Sequence, residues 1–102
     1  MAYVAGYAQV VDAVLSGAAW DEAYFSILSL KAHCQSLPGY QRMDFMVRDL
    51  DSGDVDVTIV TNFEYLEQLS VWLEHGQTPD AILSAMEPQP SRLRIDVREN
   101  MS

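Results

Sequence analysis

The chain has 102 residues, 49% of them hydrophobic and 21% charged, with 15 acidic against 6 basic side chains and a formal charge of -9. Its length suits one domain, residues 1–102, and is too short for both a thick core and a large internal cavity unless a partner contributes. The negative charge repels phosphate backbones and anionic headgroups, and no apolar run reaches the roughly 18 residues of a membrane span, so neither nucleic acid nor a membrane is an expected partner.

Residues 2–14, AYVAGYAQVVDAV, are apolar on both alternating sets: Tyr3, Ala5, Tyr7 and Val11 on one, Val4, Ala8 and Val10 on the other. A strand apolar on both sides is covered on both sides, which predicts a central strand ended by Ser16 and Gly17. From about Ala19 to Ser36 the period becomes helical. Trp20, Ala23, Tyr24, Ile27, Leu30 and Cys34 fall on one stripe, Asp21 and Glu22 sit in the expected first turn, and Pro38 with Gly39 stops the helix. Cys34 is the single cysteine, with no disulfide partner and no metal-ligand spacing around it. It reads as a small apolar residue, no metal site is expected, and a reducing cytoplasm is the expected compartment.

Residues 40–50 and 54–62 alternate, with Met43, Phe45 and Val47 in the first run and Val55, Val57 and Ile59 in the second. Asp51-Ser52-Gly53 between them has the composition of a three-residue hairpin loop. Parity selects that length. A two-residue loop would set Phe45 against Val60, whereas three residues pair Phe45 with Ile59, Val47 with Val57 and Arg48 with Asp56. Asn62 is the expected cap of a second helix with the stripe Tyr65, Leu66, Leu69, Trp72 and Leu73, ended by Gly76. Thr78-Pro79-Asp80 opens a short helix through about Met86. After Pro88 and Pro90, Leu93, Ile95 and Val97 alternate with arginine and aspartate in a last strand. The order βαββαβ is that of the α+β, ferredoxin-like fold with an antiparallel sheet.

All five arginines, Arg42, Arg48, Arg92, Arg94 and Arg98, occupy even positions of the outer strands, interleaved with Asp44, Asp56 and Asp96. The odd positions face the helices, so the even face is open. That face also carries Met46, Val60, Val4 and Val10, a mixed apolar and ion-pairing surface that predicts a homodimer, with two sheets facing each other and helices outside.

With Leu37-Pro38-Gly39-Tyr40 after the first helix, the strand from Gln41 to Arg48, the strand from Val55 to Phe63 running into Glu64-Tyr65-Leu66-Glu67-Gln68-Leu69, and Val71-Trp72-Leu73, the chain resembles the antibiotic-biosynthesis-monooxygenase-like group of dimeric α+β barrel proteins. The resemblance implies a small-molecule-binding protein, with cofactor-independent monooxygenase chemistry on an aromatic or phenolic substrate. The alternatives are a non-catalytic ligand-binding or regulatory protein of the same fold, or a lactone isomerase or cyclase. Heme-degrading members carry an asparagine on the first strand, a tryptophan in the second helix and a histidine just beyond it. Trp72 matches the tryptophan, but the first strand offers Tyr7 and Gln9, and Ala81-Ile82-Leu83-Ser84-Ala85 holds no histidine. No cofactor is therefore expected.

The candidate substrate-binding residues are Tyr7, Gln9, Lys31 and Trp72. Tyr7 and Gln9 share one side of the first strand and can supply hydrogen bonds. Trp72 can stack on an aromatic ring or simply pack in the core. Lys31 lies on the apolar stripe of the first helix, where its ammonium either reaches water along its stem or meets an anion. Ala5, Gly6 and Ala8 leave room for a ligand or let helices pack closely. His33 and His75 project from polar helix faces and read as surface residues.

Overall fold

The computed structural model describes residues 6–100. Tyr3, Val4 and Ala5, the start of the expected first strand, lie outside the described residues. Seven elements follow in order: β1 (Gly6–Ser16), α1 (Gly17–Cys34), β2 (Tyr40–Asp49), β3 (Asp54–Phe63), α2 (Leu66–His75), α3 (Pro79–Ser84) and β4 (Arg92–Asn100). The sheet is antiparallel throughout, in the order β2-β3-β1-β4, so β1 is central as its composition predicts.

One side of the sheet is closed. Val11, Ala13, Leu15, Met43, Val55, Val57, Ile59 and Phe63 pack there with Trp20, Ala23, Ile27, Leu30 and Cys34 of α1, Leu69 and Trp72 of α2, and Ile82 and Leu83 of α3. The opposite side bears Val10, Asp12 and Val14 of β1, which are only half-buried within the single chain. The helix layer also stops short of the sheet edges, so Val47, Ile95 and Val97 are exposed despite their odd parity.

The β2–β3 hairpin follows the parity argument. Phe45 pairs with Ile59, Val47 with Val57 and Arg48 with Asp56. The Leu50 N–H donates to the Asp54 carbonyl at 2.9 Å, leaving Asp51-Ser52-Gly53 as the loop, with Gly53 at φ 89. That left-handed turn position favours glycine because a Cβ would crowd the backbone.

Four local expectations are corrected. α1 begins at Gly17, two residues early, because the Ser16 hydroxyl accepts from the Ala19 N–H at 3.1 Å and caps the helix; Asp21 and Glu22 therefore fall beyond the first turn. Asn62 caps nothing: it is buried inside β3 and its side-chain nitrogen donates to Gln41. α2 starts after Tyr65, whose N–H is satisfied by the Gln68 side chain at 3.2 Å. Thr78 precedes α3 but makes no side-chain cap bond.

Candidate functional site

β1 and β3 run side by side with Gln9 opposite Thr61 and Tyr7 opposite Phe63, all four on the helix side. Gln9 is 2% exposed and Thr61 0%, in a layer otherwise built from aliphatic and aromatic side chains. Burying an amide or a hydroxyl costs free energy unless its hydrogen bonds are replaced. Gln9 recovers one: its Nε2 donates to Asp80 Oδ1 at 2.9 Å, tying the first strand to the first turn of α3. Its Oε1 and the Thr61 Oγ1 are buried and have no partner, and the same holds for Trp72 Nε1.

Beside this polar pair lies an aromatic wall. The Trp72 indole sits on the Phe63 ring with centroids 5.3 Å apart, and Tyr40 meets Phe63 edge-on at 6.1 Å. Tyr40 reaches that place through a β-bulge. The register shifts between Tyr40 and Arg42, so Gln41 is the extra residue and Tyr40, an even position, pairs with Phe63. Burial, aided by nearby Cys34 and Asp44, pushes the Tyr40 phenol above its usual range. Phe63 and Trp72 also line a hollow of about 310 Å³ with Leu37, Pro38, Glu67, Gln68 and Val71. The strand, the α1–β2 connection and α2 thus converge on one small apolar recess that opens at the surface.

The four residues expected at the site are placed in two groups. Gln9 is buried on the helix side of β1, Tyr7 is half-buried two residues before it against the core, and Trp72 packs on Phe63, the cross-strand neighbour of Tyr7. Lys31 is elsewhere. Its ammonium stands 5.4 Å from the Phe45 ring centroid and borders a separate, open hollow with Tyr40, Gln41, Arg42, Met43 and Asp44. Of the two readings open for Lys31, the structure shows the stem extending away from Tyr7, Gln9 and Trp72 to a cation–π contact at the β2 edge. Thr61, Phe63 and Asp80 were not among the expected residues. Thr61 carried a visible signal, a polar residue in the buried parity of Val55, Val57, Ile59 and Phe63; Asp80, 71 positions from Gln9, carried none.

Among the described residues no group of three or more His, Cys, Asp or Glu side chains could hold a metal ion. His75 offers no imidazole to the recess, being 74% exposed and 3.6 Å from Glu74, and His33 is exposed on α1. Among the described residues no helix is long and apolar enough to cross a membrane.

No protein-family model and no curated protein matches the chain. A solved structure of the heme-degrader MhuD from Mycobacterium tuberculosis, with two hemes bound in its active site, does match. Its TM-score is 0.51 at 17% identity, over 93% of this chain and 96% of that one. The two chains share a fold. It is the α+β, ferredoxin-like fold with an antiparallel sheet that the order of elements in the sequence implied, and at this identity the likeness establishes the fold alone. Neither histidine of this chain faces the recess beside Trp72.

Proposed function

We propose that this chain is a small-molecule-binding protein whose ligand is a small aromatic molecule, its ring lodged against Phe63 and Trp72 and its polar group directed to Thr61 and Gln9. The observation that carries the reading is the Gln9–Thr61 pair: two fully buried polar side chains, facing each other across β1 and β3, each with an oxygen that lacks a partner. Thr61 lies two residues from Phe63 on the same face of β3, a step of about 7 Å that a bicyclic ring can span. Buried polar atoms without a partner are uncommon in a core that needs only packing, and a bound group that supplies the missing hydrogen bonds accounts for both at once. Titration with naphthol, followed by quenching of tryptophan fluorescence, tests it: saturable quenching that disappears in Trp72→Phe supports the site, and no saturable quenching refutes it.

The ligand-bound form in this reading is a homodimer joined through the open sheet face. Support comes from Met46, 59% exposed, from the hollow of about 560 Å³ between Val10, Asp12, Thr58 and Arg94, and from Arg94 itself, which has no ion-pair partner among the described residues. A stable contact buries about 1,200 Å² or more. Sedimentation at micromolar concentration should give twice the chain mass, and a monomer would count against the interface.

Oxygenation of a phenolic ligand without a cofactor is the second reading, favoured by the Tyr40 and Trp72 rings against Phe63, an aromatic wall suited to an electron-rich ring. Oxygen uptake with anthrone or a quinol separates the two: uptake that requires the folded protein makes it an enzyme, and its absence with tight binding leaves a binding protein.

A further inference from the structure

The bond between Gln9 and Asp80 does more than join β1 to α3. A carboxylate only accepts hydrogen bonds, so the end of the Gln9 amide that faces Asp80 has to be the NH₂ group. The other end, Oε1, is then the buried atom left without a partner, on the strand position paired with Thr61. Orientation of the amide is fixed by chemistry and not by packing, because the two ends of a glutamine amide have nearly the same shape. An oxygen held in that way asks its partner for a proton donor. The Thr61 hydroxyl can both give and accept, so it is compatible with either polarity. Lys31 and the arginines stand elsewhere, over Phe45 or on the open face, and supply this place with no positive charge.

We propose that Asp80 is a specificity-determining positioning residue: by locking the Gln9 amide with its oxygen inward, it makes the site select neutral ligands that bear a hydroxyl or N–H donor and reject anions and ethers. The inference rests on the ligand site proposed above and adds to it the polarity and charge of the ligand. It also reverses the role that a lysine on the apolar stripe suggests, since an anion would meet an acceptor oxygen backed by a carboxylate. Rejection of an acceptor-only ligand is strong when a buried acceptor is left unpaired.

Three probes of one shape read this out: naphthol, which is neutral at pH 7 and donates; methoxynaphthalene, which only accepts; and naphthoate, an anion. With the unaltered protein naphthol should bind about ten-fold or more tighter than either of the others. Asp80→Asn permits the Gln9 amide to turn over, so the preference for naphthol over methoxynaphthalene should fall at least about three-fold while the fold is retained. Gln9→Leu, which removes the amide altogether, should bring the ratio close to one. The Gln9 side-chain NH₂ resonances give a readout free of any probe: they should be slowly exchanging in the unaltered protein and lose that protection in Asp80→Asn. Equal affinity for naphthol and methoxynaphthalene, tighter binding of naphthoate, or unchanged selectivity in Asp80→Asn would overturn the assignment of Asp80 while leaving the ligand site standing. If none of the three probes binds, the ligand site itself falls and the selectivity with it.

Discussion

Replacing Thr61 by valine should make the unliganded protein more stable and its ligand complex weaker. The two side chains are nearly the same size and both β-branched, so packing among Met43, Gln9 and Phe63 is preserved and the strand is not disfavoured. What changes is one hydroxyl. Thr61 is 0% exposed and its oxygen has no partner, so the folded chain bears a desolvation cost that the unfolded chain escapes in water. Leaving such a group unsatisfied costs about 1–3 kcal/mol, and Thr61→Val should recover on the order of 1 kcal/mol of it. For a domain of this size that corresponds to a rise in melting temperature of about 4–8 °C. Urea denaturation and calorimetry at one fixed protein concentration measure the effect without confusing it with a shifted monomer–dimer balance. Binding of naphthol should weaken by about three- to ten-fold in the same variant, the worth of one hydrogen bond. A loss of stability in Thr61→Val would show that the hydroxyl is satisfied in the unliganded protein, and the premise of an orphaned pair would fail.

Burial pushes the Cys34 thiol above its ordinary 9.0, which favours the neutral thiol in the fold. The sign follows: the stabilisation is complete below about pH 9 and is lost as pH rises through the folded value, because the unfolded chain ionises first. Stability should therefore decline above pH 9 with a slope that Cys34→Ala reduces, and a thiol reagent at pH 8 should react only on unfolding. Gly39 takes φ 78, and a Cβ there would run into the Gln68 side chain that satisfies the Tyr65 N–H. Gly39→Ala should cost about 1–2 kcal/mol in chemical denaturation, and an unchanged midpoint would contradict the turn. Arg48 is bonded to Asp56 at 3.0 Å but is 73% exposed, so Arg48→Ala should alter stability by less than about 0.5 kcal/mol if its face is wet. A larger loss that grows on dilution is the outcome expected if that face is a subunit interface.

The sequence made the sheet legible because alternation leaves little freedom. Met43, Phe45 and Val47 must face Val57 and Ile59, which dictated the loop length, the register and the Arg48–Asp56 pair. The α1 stripe was nearly as plain: Trp20, Ala23, Ile27, Leu30 and Cys34 are buried, while Tyr24, at the border of the stripe, is exposed and packs edge-on against Phe45. Local events that break a period were harder to read. The bulge at Gln41 turns Tyr40 onto the helix side against its parity, and the extension of β3 through Phe63 converts Asn62 from an apparent helix cap into a buried strand residue. The proposed ligand site combines both kinds of residue. Gln9 and Trp72 are candidates by residue type, whereas Asp80 enters through a contact between β1 and α3 that no local pattern encodes. Lys31 was drawn to the recess by its place on the stripe, but the half-buried stem lets its ammonium reach Phe45 near the sheet edge.

The position of the ligand is tested most directly by nuclear magnetic resonance of the isotopically labelled protein during titration with naphthol. The indole N–H of Trp72, the side-chain amide of Gln9 and the backbone amides of Thr61 and Phe63 should move together and saturate, while the indole N–H of Trp20, in the α1 part of the core, stays in place. Shifts confined to Arg94, Asp96 and Arg98 on the open face, or none that saturate, would contradict a binding site between the helices and the sheet.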